Sequence, residues 1–402
     1  MLLRNGSILV SGRMEKRDVL IENGIVLKVF PEITERYEEE YDLSGFVIIP
    51  GAVDVHSHLR EPGFTHKETI KTGTMSAVKG GITSVMAMPN TNPVPDCEET
   101  ARMIFEKAEE QAVNRVFLYG SVTKGQKGKV LSDIKGMKPY IKALSDDGIC
   151  LSDLSILKEG MYAAKEEGLI ICSHAEAKEY GVGPESEVKA VEREIELVKE
   201  TGCKYHFCHL STGESIKAVR RAINSGLDIT SEVTPHHIFL CQSTMEKNGN
   251  YKMSPALRSF GDMRLTLSGL ISGFVDMVAT DHAPHTEEEK TGDYERIPNG
   301  IIGFETLIPL MYTGLVRTGK LTFEKMFDYL TYNPAKRFNL PAGRLKEGGI
   351  ADFAVISPDN MHIYTKEEIL SKSKNSPFIG TELFGMNMMT IVNGVVKYKG
   401  FQ

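Results

Sequence analysis

From about residue 50 to residue 340 the chain alternates short apolar runs with helical stretches, and the runs end on a recurring set of residue types. Runs at 82–89, 169–174, 205–209, 227–233 and 277–281 read as strands, and the segments 98–112, 153–167, 187–201 and 213–225 between them read as helices. Where such runs give way to loops stand His56, His58, Asp147, His174, His209 and Asp281. Strand–helix alternation over this length predicts a parallel α/β architecture. An open parallel sheet gathers its ligands at one switch point, whereas here they close many different strands, so closure into a (β/α)8 TIM-like barrel is expected. In an extended strand alternate side chains share a face, so His56 and His58 point the same way and can grip one metal ion.

The ends of the chain have a different texture. Residues 18–30 read as two strands around Asn23-Gly24, a strong hairpin signal, and 389–398 repeat the theme around Asn393-Gly394. A chain of 402 residues exceeds one typical barrel of about 250 residues, so two domains are expected. Residues 51–342 are assigned to the barrel, and 1–50 with 343–402 to a small β-sandwich built from both termini. With 25% charged residues, a net charge of -7 and no long Lys/Arg block, the chain carries no footprint for nucleic acid or acidic membranes. An anionic ligand must then be held by a few local cations. The six cysteines form no CxxC pair and read as buried free thiols. No leader-like apolar region opens the sequence and no run approaches the 18 or so apolar residues of a membrane span, so a cytoplasmic location is expected.

A lone buried histidine is usually a hydrogen-bonded core residue, and His66, His206, His237 and His362 are read as structural or surface residues. His236 and His237 are read as adjacent strand residues on opposite faces, unable to serve one site together. Two close divalent ions need a bridging anion, and Asp147 is chosen for it, with Asp146 as a supporting or solvent-facing neighbour. Asp281, directly after an apolar run, is placed to take a proton from an attacking water and hand it to a leaving nitrogen. Arg60, two residues after His58 and so expected on the same face, offers a planar fork for a carboxylate, Asn90 can donate and accept, and His285 is a second candidate anion contact.

Seven strings extend these readings: Asp-Val-His-Ser-His-Leu-Arg-Glu-Pro-Gly (54–63), Met-Pro-Asn-Thr (88–91), Leu-Ser-Asp-Asp-Gly (144–148), Ser-His-Ala-Glu (173–176), Cys-His-Leu-Ser-Thr (208–212), Glu-Val-Thr-Pro-His-His (232–237) and Ala-Thr-Asp-His-Ala-Pro-His (279–285). In this order the sequence resembles the dihydroorotases, in the bacterial type I branch of the amidohydrolase superfamily, and the resemblance runs nearly end to end. It implies a zinc-dependent cyclic amidohydrolase that interconverts N-carbamoyl-L-aspartate and L-dihydroorotate in pyrimidine biosynthesis. It implies two Zn2+ per chain: His56, His58 and Asp281 on one, His174 and His209 on the other, bridged by Asp147 and a hydroxide. Many relatives outside this branch use a carbamylated lysine as the bridge; Lys142 is the only nearby lysine, and the Asp-Asp-Gly after it argues against that role. Substrate contacts carry over to Arg60, Asn90 and His285, with backbone contacts at Asn299 and Gly300.

One position departs from the pattern. The family usually has Asn where this chain has Ser254, and a serine there is similar to hydantoinases. The rival activities are therefore dihydropyrimidinase, hydantoinase or allantoinase, with a silent scaffold for aspartate transcarbamoylase as a different class of reading. The polar segment 286–299 is a candidate lid, and a homodimer is the default assembly.

Overall fold

The computed structural model describes residues 1–401. Eight parallel strands form the barrel: β1 (Ala52–Ser57), β2 (Ile82–Ala87), β3 (Arg115–Gly120), β4 (Ile141–Leu144), β5 (Ile171–Ser173), β6 (Tyr205–Phe207), β7 (Ile229–Val233) and β8 (Met277–Val278). They pair in sequence order from β1 to β8. The ring closes just beyond β8, where His282 bridges to Ser57 and accepts the His58 N–H at 2.8 Å. Both termini contribute to a second, eight-stranded sheet, in which Val47–Pro50 pairs antiparallel with Phe353–Ser357. One residue, Gly51, separates that edge from β1.

The helices observed between the barrel strands include Glu98–Gln111, Leu154–Glu166, Pro184–Thr201 and Gly213–Asn224. Each has its own start signal. Asp153 accepts from the Ser155 and Ile156 N–H groups, Thr212 caps from its hydroxyl, and Pro184 opens its helix where no N–H is needed. Helices and outward strand residues share one large apolar cluster, including Ile82, Leu118, Ile195 and Leu210. Val53, Met86, Tyr119, Cys172, Cys208 and Met277 form another, which fills the lumen. Ala335, Phe338 and Leu340 plug the lumen where the strands begin, and there Arg337 donates to the Tyr205 carbonyl at 2.8 Å. That plug leaves the other end, where strands become loops, as the open face.

The cysteines are unpaired, and five of the six are buried. No helix among the described residues is long and apolar enough to cross a membrane.

Candidate metal centre and substrate cleft

All six strand-end candidates meet at the open face. His56 lies within β1, and the others lie beyond strand ends: His58 after β1, Asp147 after β4, His174 after β5, His209 after β6 and Asp281 after β8. Strand periodicity therefore aims the first histidine, and loop geometry aims the rest. His209 (φ 34°), Asp281 (φ 49°) and Arg60 (φ 62°) occupy the left-handed region. A non-glycine residue there costs about 1–3 kcal/mol and persists only where surrounding contacts hold it.

His56 Nε2 lies 3.4 Å from Asp147 Oδ1 and 3.5 Å from Asp281 Oδ1. His58 Nε2 lies 3.1 Å from Asp281 Oδ1 and 3.5 Å from Asp147 Oδ2. On the other side, His174 Nδ1 and His209 Nε2 are 2.9 Å apart, each 3.7 Å from Asp147 Oδ1. Two groups able to hold a metal thus share Asp147: His56 with His58, and His174 with His209. Ligand atoms 2.0–2.1 Å from one tetrahedral ion sit about 3.3 Å apart, close to these separations. His56 Nε2 and Asp147 Oδ1 are buried with no hydrogen-bond partner. Orphaned lone pairs of this kind, in a set of imidazoles and carboxylates, fit a divalent metal. Lys142, on β4, stacks over Phe117 instead of joining the cluster.

Buried partners orient the ligands. His56 Nδ1 donates to Glu232 Oε1 at 2.6 Å, which leaves Nε2 with its lone pair toward the cluster. Glu232 also accepts from His206 Nε2 at 3.1 Å and from the His209 N–H at 3.2 Å. Burial would raise the Glu232 carboxyl, but the His56 and His206 imidazoles hold it down to about 2. Asp54 accepts from the Thr280 N–H at 3.0 Å and ties β1 to the loop carrying Asp281. Asp146 faces inward, correcting the solvent-facing option: it accepts from the Val122 N–H at 2.8 Å and from the Thr123 hydroxyl, fixing the loop after β3. Burial also favours the protonated Asp281 carboxyl, yet His56 and His58 overcome this and hold it well below the usual carboxylate range.

A cleft of about 290 Å³ opens over the cluster, lined by Arg60, Asn90, Ser254, His285, Asn299 and Gly300 among others. Arg60 Nε donates to the Pro284 carbonyl at 3.2 Å, and its Nη2 contacts His285 Nε2 at 3.3 Å. Burial pulls Arg60 down to about 10, so it remains a cation at neutral pH. Burial and the neighbouring Arg60, Lys67 and Lys290 cations hold His285 down to about 3. His285 is therefore a neutral imidazole that orients the guanidinium. Asn90 donates to the Asp147 carbonyl at 2.8 Å, leaving its buried Oδ1 without a partner.

Ser254 donates to Glu176 Oε2 at 2.7 Å, while Arg258 Nη2 donates to Glu176 Oε1 at 2.8 Å. Burial opposes charge on Glu176, yet His174 and Arg258 hold its carboxyl down to about 2, so it only accepts. Toward the cleft Ser254 is thereby left with lone pairs alone. Gly300 adopts φ 131°, and a Cβ there would lie 2.8 Å from the Ala283 carbonyl oxygen. Its own N–H donates to the Lys252 carbonyl at 3.0 Å, so that donor is already taken.

Three expectations from the sequence change in their reasons. His236 and His237 lie in the short helix Pro235–Phe239 and not on a strand; His237 is tied to Thr234 and to the Pro255 carbonyl. Strand alternation does not carry Arg60 into the cleft, because β1 ends at Ser57. The segment 286–299 is pinned, since Lys290 donates to the carbonyls of Lys252, Pro298 and Gly300 at 2.8–3.1 Å. Glu176 and Glu232 stand in the quoted strings 173–176 and 232–237 without a role assigned to them there, and nothing local marks Lys290.

The amidohydrolase family matches residues 47–397. Dihydroorotases of Bacillus cereus and Bacillus anthracis are each 40% identical over 419 aligned residues, covering 99% of this chain and 98% of each relative. Among solved structures, the L-hydantoinase of Arthrobacter aurescens superposes with TM-score 0.88 at 23% identity, covering 100% of this chain and 96% of that one. The dihydropyrimidinase of Brevibacillus agri gives TM-score 0.89 at 23% identity, with 100% and 95% coverage. At that identity the structural likeness speaks for the fold, whereas the family match and the full-length sequence matches speak for the family: the chain belongs to the amidohydrolases, among the dihydroorotases.

Proposed function

We propose that this chain interconverts N-carbamoyl-L-aspartate and L-dihydroorotate, with two zinc ions held by His56, His58, Asp147, His174, His209 and Asp281. The observation that carries the reading is Arg60, a half-buried cation in the same cleft as the candidate metal-ligating cluster. Dihydroorotate has a ring amide to be cut and a carboxylate beside it. Dihydrouracil and hydantoin have the amide but no carboxylate, and they would leave this cation without an anion from the ligand.

When bound, zinc supplies Lewis acidity that polarises the ring carbonyl and acidifies the attacking water. Asp281, ionised at neutral pH, takes the water's proton on its carboxylate. It returns that proton to the ring nitrogen as the carbon–nitrogen bond breaks. Asn90 Oδ1 accepts from a ring N–H, and Ser254 offers a second acceptor because its own proton is committed to Glu176. Arg60, steadied by His285, pairs with the carboxylate. Ring closure runs the same steps backwards, with Asp281 taking the proton from the carbamoyl nitrogen and water leaving. Opening creates a carboxylate and releases a proton near neutral pH, so lower pH favours the closed ring.

Ser254 supports a second reading, a hydantoin- or dihydropyrimidine-opening enzyme. One assay separates the two: ring opening of L-dihydroorotate by purified protein beside dihydrouracil, hydantoin and allantoin, with zinc counted in the same preparation. Turnover of dihydroorotate with one to two zincs per chain is expected. Preference for a ring without a carboxylate would overturn the first reading, and bound metal without turnover would favour an aspartate transcarbamoylase scaffold over an enzyme. A homodimer, a cytoplasmic location and the division into 51–342 and 1–50 with 343–402 belong to the same proposal; light scattering and limited proteolysis test the assembly and the division.

A further inference from the structure

The segment 370–376, far from the barrel in sequence, is fastened to it by two buried carboxylates. Glu305 Oε1 accepts from the N–H groups of Leu370 (2.7 Å) and Ser371 (3.3 Å). Glu68 accepts from the Ser371 hydroxyl and from the Lys372 N–H at 3.2 Å. Ser373 Oγ donates to the Lys67 carbonyl at 2.7 Å. This anchoring delivers Asn375, which is 4% exposed, to the back of the cleft.

Both ends of the Asn375 carboxamide are directed at three cleft residues. Oδ1 accepts from the His285 N–H at 3.3 Å, and Nδ2 donates to the carbonyls of Ala283 (3.3 Å) and Gly300 (3.0 Å). Its main-chain carbonyl accepts from the Ile302 N–H at 3.0 Å. Asn375 therefore clamps the loop that carries His285 to the strand-like segment that carries Gly300. Only an asparagine of this size supplies one acceptor and two donors in that arrangement. An aspartate would turn an oxygen toward two carbonyl oxygens.

We propose that Asn375 is a positioning residue for the carboxylate-binding wall: by fixing the backbone at Ala283, His285 and Gly300 it sets the orientation of His285, and through it Arg60, toward ring substrates that bear a carboxylate. The inference rests on the dihydroorotase reading, since it assigns the carboxylate to Arg60. The residue lies on the sheet-forming C-terminal portion of the chain, so that portion is part of the binding site as well as a support for it.

The test uses metal-loaded, full-length protein and two unreactive planar rings, orotate and uracil, which differ by the carboxylate. Their dissociation constants are measured by calorimetry for wild type, Asn375→Asp and Asn375→Ala, with metal content and thermal midpoint recorded. Wild type is expected to prefer orotate. Asn375→Asp is expected to weaken orotate about tenfold or more, the equivalent of one lost hydrogen-bond contact, with uracil affinity and metal content unchanged. Asn375→Ala removes the clamp without repulsion and is expected to show a smaller loss of the same kind; it also covers the case in which the aspartate variant does not fold. Equal losses for both rings, or no loss of orotate affinity in either variant, would overturn the positioning role. A wild type that binds the two rings alike would instead overturn the carboxylate reading, and the role of Asn375 with it.

Discussion

The floor and the wall of the cleft are built in different ways. On the floor, each candidate ligand is at or just beyond a barrel strand, and carboxylates on other strands steady two of them: Glu232 on β7 reaches across to His56 on β1, and Asp54 on β1 holds the turn before Asp281. The wall consists of loops, and its reach is set by groups distant in sequence. Lys290 and Asn375 both bond the Gly300 carbonyl, at 2.8 and 3.0 Å, from opposite sides of the chain's order. The floor thus inherits the precision of the barrel, while the wall depends on a few clamps. On the proposed reading, holding metal falls to the floor and recognition of a particular ring to the wall.

Substitutions can test that division. The largest effect is expected at Asp281, where Asp281→Asn should lower kcat by about 10²–10⁴-fold, the usual worth of a positioned acid–base group. Activity measured alongside bound metal decides it, because a variant that keeps metal and full kcat would remove the proton-transfer role. Next is Glu232→Gln, which weakens the hold on His56 Nδ1. Metal affinity, read by competition with a chelator and needing no substrate, is expected to fall about 10–100-fold; an unchanged affinity would mean the floor does not rely on its buried carboxylate.

On the wall, Arg60→Met is expected to raise KM for dihydroorotate by about 10–100-fold, as for loss of a charge-assisted hydrogen bond, while dihydrouracil turnover stays as it was. Equal changes for both rings would place Arg60 in the structure of the loop and not in recognition. The smallest effect concerns Lys290. Burial, followed by the nearby Lys252 cation, pulls its ammonium down to about 7 from 10.5. The unfolded chain therefore holds a proton that the folded chain has released between about pH 7 and 10.5, and stability contributed by this group rises with pH across that window. Thermal midpoints of wild type and Lys290→Met should diverge in favour of wild type from pH 7 to pH 9.5. A constant difference would show that the three carbonyls keep the lysine charged throughout.

The readable parts of the sequence were those with local rules. The hairpins at Asn23-Gly24 and Asn393-Gly394 follow from residues that tolerate positive φ, found at both Asn23 (φ 50°) and Asn393 (φ 51°). Helix 98–112 is observed as Glu98–Gln111 because its apolar stripe and its acidic first turn are both local. The six metal-ligating positions converge because a parallel barrel places every strand's end on one face. His236 and His237 were misplaced on a strand: Thr234 caps a helix beginning at Pro235, and that start signal was overlooked beside the apolar run before it. Polarity made the segment 286–299 look mobile, yet Lys290 and Ile297 are buried within it.

By itself the sequence determined the barrel, the set of candidate metal-ligating residues that the fold brings together and the family resemblance, because periodicity, capping and the choice of imidazole and carboxylate act over a few residues. Only the tertiary structure decided which atoms of those residues face one another, that Glu176 leaves Ser254 an acceptor, and that Asn375 reaches a cleft some 90 positions earlier in the chain. Those outcomes depend on contacts between distant segments brought together by burial, and no local pattern encodes the distance between them.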